Sequence, residues 1–305
     1  MPSLALVSTD PEFVGQDDRD LEPLRAALRS HGIDVHVPSW RDTDVDWSSF
    51  DLAIMRSPWD YAEHPQQFLD WLDRASAATR LLNLPEVIRW NLDKRYLAEL
   101  EGRGVRVVDS QFCTSADEVA GALSAVDSPR VVVKPTVSAG SRNTGLFERD
   151  DPRAAELARH IIGIGKTAMV QPAVESVSTV GERALVYFDG MFSHALVKGP
   201  ILDVGGNLLG GVYTESIEPA QATPAERQLA DGAMAAISSI FLERGIAADD
   251  AVPLYARLDL VETDDGPALL EAELFEPAYF VHTAPASEAR FAAAVLARLA
   301  TPPLR

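Results

Sequence analysis

Residues 255–260 read YARLDL, and residues 270–274 read LEAEL. Polar and apolar residues alternate in both stretches, which predicts two β-strands that each have one polar and one aliphatic face. The sequence DDGP at residues 264–267 lies between them and favours a tight turn. A hairpin of this kind brings Asp259 roughly opposite Glu271.

The polar face of this hairpin carries Arg257, Asp259, Glu271 and Glu273. Three carboxylates on one sheet face repel each other unless cations neutralise them. Carboxylate oxygens are hard ligands, and Mg²⁺ commonly uses a few of them together with substrate phosphates. A solvated strand face is the alternative for a single Glu. For Arg-x-Asp facing Glu-x-Glu within apolar strands, the sequence predicts a magnesium site.

Two of the four lysines stand in positions that suggest a phosphate site. Residues 131–135 read VVVKP, so Lys134 follows a buried strand, and residues 136–145 form a loop rich in Ser, Gly and Asn. Small residues let backbone N–H groups approach phosphate oxygens, and Lys134 supplies positive charge. Asn91 is a good N-cap and predicts a helix start, which places Lys94 in a first turn, where it opposes the helix dipole. That position favours a functional role for Lys94 over a surface one.

The composition narrows the class of partner. Among 305 residues, 46 are acidic and 27 basic, and the net charge of −19 argues against nucleic acid as a partner. No stretch is long and apolar enough for a membrane span, and the first residues do not resemble a signal peptide. The single cysteine, Cys113, cannot form an internal disulfide, so we expect a cytoplasmic protein.

The pattern of elements predicts an α/β unit followed by an α+β unit. Strands and helices alternate over roughly the first 90 residues, which indicates a small parallel sheet. Antiparallel hairpins follow, one of them turning at Asp189-Gly190, and a long helix begins with a capping box at Thr223. Residues 163–167, GIGKT, lack the first glycine and the preceding strand of a phosphate-binding P-loop, and we reject that motif. The first strand is not followed by a dinucleotide-binding glycine pattern.

Taken in order, these motifs resemble the ATP-grasp ligases, such as glutathione synthetase and D-alanine–D-alanine ligase. The resemblance covers most of residues 85–285 and rests on Lys94, VVVKP at 131–135, VQPA at 170–173, GER at 181–183 and the final hairpin. RSPWDY at 56–61, IRWNLDK at 88–94 and EAELFEP at 271–277 are most similar to the ligases that close O-ureido-D-serine into D-cycloserine. The implied fold is an ATP-grasp fold with an N-terminal Rossmann-like pre-ATP-grasp domain.

The resemblance implies three units and a set of roles. The units are an N-terminal domain on the substrate side at residues 1–88, a central lid subdomain at 89–170 and a C-terminal ATP-grasp subdomain at 171–305. The residues implied to bind the nucleotide are Lys94, Lys134, Ser138, Gln171, Pro172, Ala173, Val174 and Glu182. Of these, the backbone of residues 171–173 contacts the edge of adenine, Val174 lines the adenine pocket and Glu182 binds ribose. Arg257 stabilises the transferring phosphoryl group, and Asp259, Glu271 and Glu273 hold Mg²⁺. Glu273 departs from the family pattern Glu-x-Asn, which leaves the number of metal ions open.

Further assignments concern the substrate. Lys198 either reaches the acyl phosphate or lies at the surface, and Lys166 is expected at the surface. Arg56 is the candidate partner of an anionic group and Asp60 of an ammonium group, although residues 56–61 equally suit a role in packing the domain interface. The full substrate set is Arg56, Asp60, Ser141, Arg142, Asn143 and Arg183, and residues 138–143 are expected to close over the reactive intermediate.

The implied activity is ATP-dependent ligation of a carboxylate to a nitrogen nucleophile through an acyl phosphate, with ATP and Mg²⁺ as cofactors. The substrate is then a small amino acid, coupled within one molecule or between two, and a homodimer stays open. The alternatives are an intermolecular amino acid or peptide ligase, a kinase that stops at the phosphorylated product, and a non-catalytic ATP-binding sensor. Retention of the grouped charges speaks against the sensor, because such grouping is costly without a ligand.

Overall fold

The N-terminal part of the chain alternates strands and helices, as predicted. The structure, a computed structural model, describes residues 1–10, 12–13, 18–138, 140, 142–199 and 216–300, and the backbone of 207–208. The first sheet consists of four parallel strands in the order β2-β1-β3-β4, namely β1 (Ser3–Ser8), β2 (Asp34–His36), β3 (Leu52–Ser57) and β4 (Leu81–Leu82). The connecting helices are α1 (Leu21–Ser30) and α2 (Pro65–Ala78). The predicted parallel α/β unit is confirmed.

The second sheet is antiparallel and contains the strand that ends at Lys134. Its order is β11-β7-β6-β8-β5, from β5 (Gln111–Cys113), β6 (Arg130–Pro135), β7 (Thr144–Glu148), β8 (Ala168–Pro172) and β11 (Asn207–Leu208). Two helices, α5 (Val119–Ala125) and α6 (Pro152–Gly163), pack on one face. Alternate residues of β6, Val131 and Val133, are fully buried under these helices, which leaves the side chain of Lys134 on the other face.

The third sheet carries the polar hairpin. Its five antiparallel strands lie in the order β12-β10-β9-β13-β14, from β9 (Glu182–Phe188), β10 (Met191–Lys198), β12 (Ile217–Ala220), β13 (Tyr255–Thr263) and β14 (Gly266–Glu273). The long helix α8 (Pro224–Glu243) begins with the predicted capping box, in which Thr223 and Glu226 bond to each other's backbone N–H groups. Met234 and Ile237 of α8 pack against the aliphatic face of the sheet. The polar face therefore points away from α8.

The predicted helix start at Asn91 is wrong. Asn91 is the last residue of α3 (Pro85–Asn91), and α4 (Tyr96–Glu101) begins after a short turn that contains Lys94. The N-cap pattern misled because the Asn91 side chain bonds to a distant strand instead of to the next turn. Residues 105–108, which follow α4, contact the third sheet through an isolated bridge between Val107 and Leu269.

The C-terminal end of the chain returns to the first sheet. The remaining helices are α7 (Glu175–Thr179), α9 (Ala248–Ala251) and α10 (Ser287–Ala300), and α10 packs against α1. Phe275, Tyr279 and Phe291 share one apolar core with the strands of the first sheet. The predicted boundaries near residues 88 and 170 stay predictions. Within the described part of the chain, no helix combines the length and apolarity that a membrane crossing requires.

Candidate active site

The polar face of the β13–β14 hairpin assembles as its alternation predicts. Asp259 pairs with Glu271 and Arg257 with Glu273 in the strand register. The Arg257 guanidinium donates to both carboxylate oxygens of Asp259, at 2.9 and 3.0 Å, and to Glu273. It also donates to the carbonyl of Ala278 at 3.0 Å. Arg257 is thereby held rigidly between two carboxylates at the centre of the site.

Lys198, at the end of β10, lies within this cluster and not at the surface. Its ammonium lies 2.7 Å from Asp259 Oδ2 and 2.7 Å from Glu182 Oε2. The Lys198 side chain is only 9% exposed, so the surface alternative for Lys198 is wrong. Glu182 is paired with Lys198 while retaining 21% exposure, and its expected role towards ribose stays a prediction.

Lys94 reaches the cluster from the turn before α4. Its ammonium lies 2.9 Å from Glu271 Oε1 and donates to the carbonyl of Ser138 at 3.4 Å. Its backbone N–H donates to Thr136 O, which ties this turn to the loop that follows β6. Burial disfavours the charged ammonium, but the Glu271 carboxylate outweighs burial and holds the pKa of Lys94 above its ordinary value.

Lys134 differs from the other cations of the site. Among the residues that the structure describes, no carboxylate lies within ion-pair distance of its ammonium, and the ammonium donates no hydrogen bond. Burial lowers the pKa of Lys134 below its ordinary value; Glu271 partly opposes this shift, whereas Lys94 and Lys198 add to it. An ammonium in this state gains from an incoming anion.

Three carboxylates of the hairpin region, those of Asp259, Glu273 and Glu276, have pKa values that are shifted in different directions. Burial works against charge at Asp259, but Arg257 and Lys198 hold its pKa well below the usual range. At Glu273, burial and repulsion from Asp259 and Glu271 outweigh the attraction of Arg257, and they raise the pKa of Glu273 to about 7. Burial and Glu273 raise the pKa of Glu276 well above its usual value. At Glu273 and Glu276, burial and the neighbouring carboxylates therefore outweigh the attraction of the cations, whereas at Asp259 the cations prevail.

Glu276 is a site residue that the sequence analysis missed. Its Oε1 accepts a hydrogen bond of 2.5 Å from the hydroxyl of Tyr61, and the same hydroxyl lies 3.2 Å from the carbonyl of Ser138. Glu276 follows β14 directly, outside the strict alternation that marks the strand. The only sequence signal was the third acidic residue in EAELFEP at residues 271–277.

Three side chains from outside the sheet pair with the free edge of β14. Asn91 bonds to the carbonyl of Ala272 at 2.7 Å and to the N–H of Leu274 at 2.8 Å. The hydroxyl of Tyr96 bonds to both backbone groups of Ala272 at 2.8 Å, and Asn83 donates to Leu274 O at 2.5 Å. Buried strand edges need such partners, because unpaired N–H and C=O groups are costly. These contacts hold the strand positions of Glu271 and Glu273.

Gly181 is required for the approach of the chain to Lys198. It has a φ of +88°, and a Cβ atom there would lie 2.3 Å from the carbonyl oxygen of Lys198. We expect Gly181→Ala to lower the unfolding free energy by roughly 2–5 kcal/mol, because left-handed strain and overpacking combine. Chemical denaturation measures this loss. A methyl group added at Gly232 in α8 would meet no atom within 4 Å, so Gly232→Ala serves as the control and is expected to stabilise by about 1 kcal/mol. Equal changes in unfolding free energy for the two substitutions contradict the requirement for glycine at residue 181.

The predicted adenine segment lies at the end of β8. Gln171 is buried, and its amide donates to Ser110 Oγ at 2.9 Å, while Ala173 N–H donates to Arg130 O. Pro172 pairs with Val131 in the sheet, and Val174 packs beside Val108 and Val261. Their roles towards adenine stay predictions.

Two predicted substrate residues lie outside the cluster. Arg183 is adjacent to Glu182 but points to the opposite face of β9, where it pairs with Glu226 at 2.8 Å. Arg56 is fully buried, pairs with Asp18 and Asp20, and donates to Pro277 O at 2.7 Å. Trp59 likewise donates to Glu276 O, so residues 56–59 pack the contact between the first sheet and the segment after β14.

The loop after β6 contacts the turn that contains Asp60. Arg142 pairs with Glu63 at 2.8 Å, and Lys166, expected at the surface, donates to the carbonyls of Ala62 and Val137. Asn143 has a φ of +56°, a left-handed conformation that Asn tolerates better than most residues. Ser141 lies outside the described residues.

The carboxylates do not form a preorganised metal cluster. Within the described ranges, no group of three or more His, Cys, Asp or Glu side chains is arranged to hold a metal ion. Both oxygens of Asp259 are engaged by cations, whereas Glu271 and Glu273 keep 24% and 21% exposure. Mg²⁺ needs only one or two protein carboxylates when phosphates and water supply its other ligands. The donor chemistry therefore fits an ion that arrives with a nucleotide.

Comparison with known proteins extends over nearly the whole chain. The family model described as D-cycloserine synthetase DcsG, N-terminal domain, matches residues 4–83. The cycloserine biosynthesis protein DcsG of Streptomyces lavendulae is 35% identical over 290 residues, 92% of this chain and 94% of that protein. The crystal structure of D-cycloserine synthetase DcsG has a TM-score of 0.88 and 34% identity, covering 97% of this chain and 99% of that one. An ATP-grasp RimK domain protein from Sphaerobacter thermophilus has the same fold, with a TM-score of 0.63, 16% identity and coverages of 96% and 99%.

The fold and the grouped lysines, arginine and carboxylates define this protein as an ATP-dependent ligase of the ATP-grasp superfamily. Within that superfamily the chain belongs to the DcsG family, because its similarity to DcsG spans both proteins almost completely. The predicted resemblance is thereby confirmed.

Proposed function

We propose that this protein closes O-ureido-D-serine into D-cycloserine, using ATP to activate the carboxylate of the substrate. The observation that carries the ATP-dependent step is Lys134, a partly buried ammonium without a carboxylate partner among the described residues, beside a cluster of paired charges. The similarity to DcsG supports the choice of substrate.

The nucleotide phosphates are expected between the second and third sheets. Lys134 and Lys94 reach this space from the end of β6 and from the turn before α4, and Lys94 also touches the loop that carries Ser138. A phosphate bound at Lys134 stabilises the charged ammonium and thereby offsets the cost of its burial. Lys94 then exchanges part of its contact with Glu271 for a phosphate oxygen.

Magnesium fits Glu271 and Glu273 best, with Asp259 acting mainly on Lys198 and Arg257. When bound, Mg²⁺ neutralises charge on the phosphate oxygens and thereby favours transfer of the terminal phosphoryl group. Burial, together with repulsion from Asp259 and Glu271, raises the pKa of Glu273, and a bound cation offsets both effects.

The reaction has two substitutions. The substrate carboxylate attacks the γ-phosphorus of ATP and releases ADP, while Arg257 faces the charge that develops on the transferred group. The nitrogen attached to the side-chain oxygen then attacks the acyl phosphate, forms the ring amide and releases phosphate. After these two substitutions, water cleaves the bond between that nitrogen and the carbamoyl carbon, which leaves N–H in the ring and releases carbamic acid that breaks down to carbon dioxide and ammonia. Both reacting groups belong to one molecule, so enforced proximity favours ring closure over intermolecular coupling.

The test is release of ADP from Mg-ATP with a panel of amino acids that includes O-ureido-D-serine, with products identified by mass. We expect ADP release with O-ureido-D-serine and a product with the mass of cycloserine. Release only with another amino acid and an amine indicates an intermolecular ligase. A stable phosphorylated product indicates a kinase, and ATP binding without turnover of any carboxylate indicates a sensor.

The proposal also concerns the partner, the localisation and the oligomeric state of the enzyme. A small amino acid is the expected partner, and cytoplasmic localisation and a homodimer stay predictions from the sequence. Sedimentation at micromolar protein concentration distinguishes a dimer from a monomer of 33.0 kDa.

A further inference from the structure

A cavity of about 450 Å³ opens beside the first sheet. It is lined by Asp10, Glu12, Phe13, Arg41, Asp60, Glu63 and His64. These residues follow the carboxyl ends of β1 and β3 and the turn after Ser39, which bridges to Ser8. Open parallel sheets commonly bind ligands at this edge, and the volume suits a small molecule.

Asp60 is the least exposed of the charged groups that line the cavity. It is 2% exposed and lies in a short 3₁₀ helix, Trp59–Glu63. Its Oδ1 accepts a hydrogen bond of 2.5 Å from the indole N–H of Trp40. Its Oδ2 is buried and accepts no hydrogen bond from the described residues. A buried carboxylate oxygen without a donor is costly, so this oxygen favours a ligand that supplies one.

The charges around the cavity favour a cationic donor. Four carboxylates line the cavity, those of Asp10, Glu12, Asp60 and Glu63, against one arginine of the lining, Arg41, and of the four only Glu63 also pairs with Arg142. Arg41 Nη1 lies 3.9 Å from Asp60 Oδ2 and 3.8 Å from Asp10 Oδ2, beyond hydrogen-bonding distance in both cases. A primary ammonium is compact and carries three donors, so it can bond to Oδ2 and still reach a second acceptor.

The helix that carries Asp60 also contacts the proposed reaction site. Tyr61, the next residue, donates to Glu276 and lies against the carbonyl of Ser138. Glu63, at the end of the same helix, pairs with Arg142 in the loop after β6. A ligand held at Asp60 therefore lies beside the elements that are expected to hold the activated carboxylate.

We propose that the cavity at Asp60 is the site for the α-ammonium group of the amino acid substrate, with Asp60 Oδ2 as its acceptor and Trp40 fixing the carboxylate. This assignment rests on the proposed function for the identity of the substrate. It develops the expectation from the sequence that Asp60 binds an ammonium group, whereas the guanidinium of Arg56, the candidate for an anionic group, is buried against Asp18 and Asp20.

The test compares O-ureido-D-serine with its des-amino analogue, in which hydrogen replaces the α-ammonium group. We expect the wild type to lose about 10²-fold in kcat/KM with the analogue, since the analogue leaves the buried carboxylate without its charged donor. Asp60→Asn keeps an oxygen for Trp40 but turns an amide donor towards the ligand. We expect this variant to lose a similar factor with the amino acid, to retain the KM for ATP, and to discriminate little between the two compounds.

Asp70→Asn is the matched control, because it removes the same charge from an exposed position of α2. It should behave as the wild type. Wild-type discrimination in Asp60→Asn, or full activity of the wild type with the des-amino analogue, overturns the ammonium site while leaving the proposed function intact. Turnover of a different amino acid overturns the proposed substrate, and the same comparison is then made with that amino acid. Turnover of no amino acid overturns both proposals.

Discussion

Glu271→Gln is expected to reduce Mg²⁺-dependent ADP formation by about 10³-fold while the protein keeps its fold. Glu271 faces the site with 24% of its side chain exposed and pairs with Lys94. The amide oxygen of Gln still accepts a hydrogen bond from Lys94, but the substitution removes the negative charge that Mg²⁺ requires. Initial rates across a Mg²⁺ titration measure the effect, and thermal unfolding checks the fold.

Glu262→Gln is the matched control, since Glu262 lies on the same hairpin but is exposed. It should retain wild-type rates. A wild-type Mg²⁺ dependence in Glu271→Gln removes Glu271 from the metal site. Asp259→Asn is a less clean test than its sequence position suggests, because Asp259 is 2% exposed and neutralises both Lys198 and Arg257. Its replacement is expected to cost about 3–5 kcal/mol of stability as well as activity.

Lys134→Met is expected to weaken ATP binding by about 10- to 100-fold and to leave the protein at least as stable as the wild type. Burial and neighbouring cations lower the pKa of Lys134, so the unfolded chain binds a proton more readily than the folded one. The charged ammonium therefore destabilises the free protein at neutral pH, and this penalty fades as the pH rises through the lowered pKa towards the ordinary value of lysine.

Calorimetry with ATP and thermal unfolding without nucleotide measure the two effects separately. Arg159→Met, which removes a cation from an exposed position of α6, should change neither ATP affinity nor stability appreciably. Unchanged ATP affinity in Lys134→Met argues against a phosphate at Lys134. A marked loss of stability in the absence of ATP indicates instead that Lys134 is a structural cation.

The features that the sequence predicted best are those that depend on the local alternation of polar and apolar residues or on the residues of a single turn. Alternation along β13 and β14 placed Arg257, Asp259, Glu271 and Glu273 on one face, and the register confirms the pairing of Asp259 with Glu271. The capping box at Thr223 and the hairpin at Asp189-Gly190 were equally local, because a few neighbouring residues determine each turn.

Residues whose partners lie far along the chain were predicted poorly. Asn91 reads as a helix N-cap, but its side chain bonds to β14 and the residue after it, 181 and 183 residues further along the chain. For Arg56 the sequence left open a ligand contact and a role in packing the domain interface, and in the fold Asp18 and Asp20 pair with its charge. Local sequence carries no signal for either outcome, because each depends on which strand edge or carboxylate the fold brings near.

The sequence by itself determined the parallel and antiparallel units, the polar hairpin and the identity of the charged groups, since side-chain period and turn chemistry are properties of neighbouring residues. Only the tertiary structure decided how these charges pair: Lys94 with Glu271, Lys198 with Asp259 and Glu182, and Lys134 with none of the described carboxylates. It also decided that Asp60 lines a cavity and that Arg56 is fully buried against Asp18 and Asp20. Pairing and burial depend on distances between segments remote in sequence, and such distances exist only once the chain has folded.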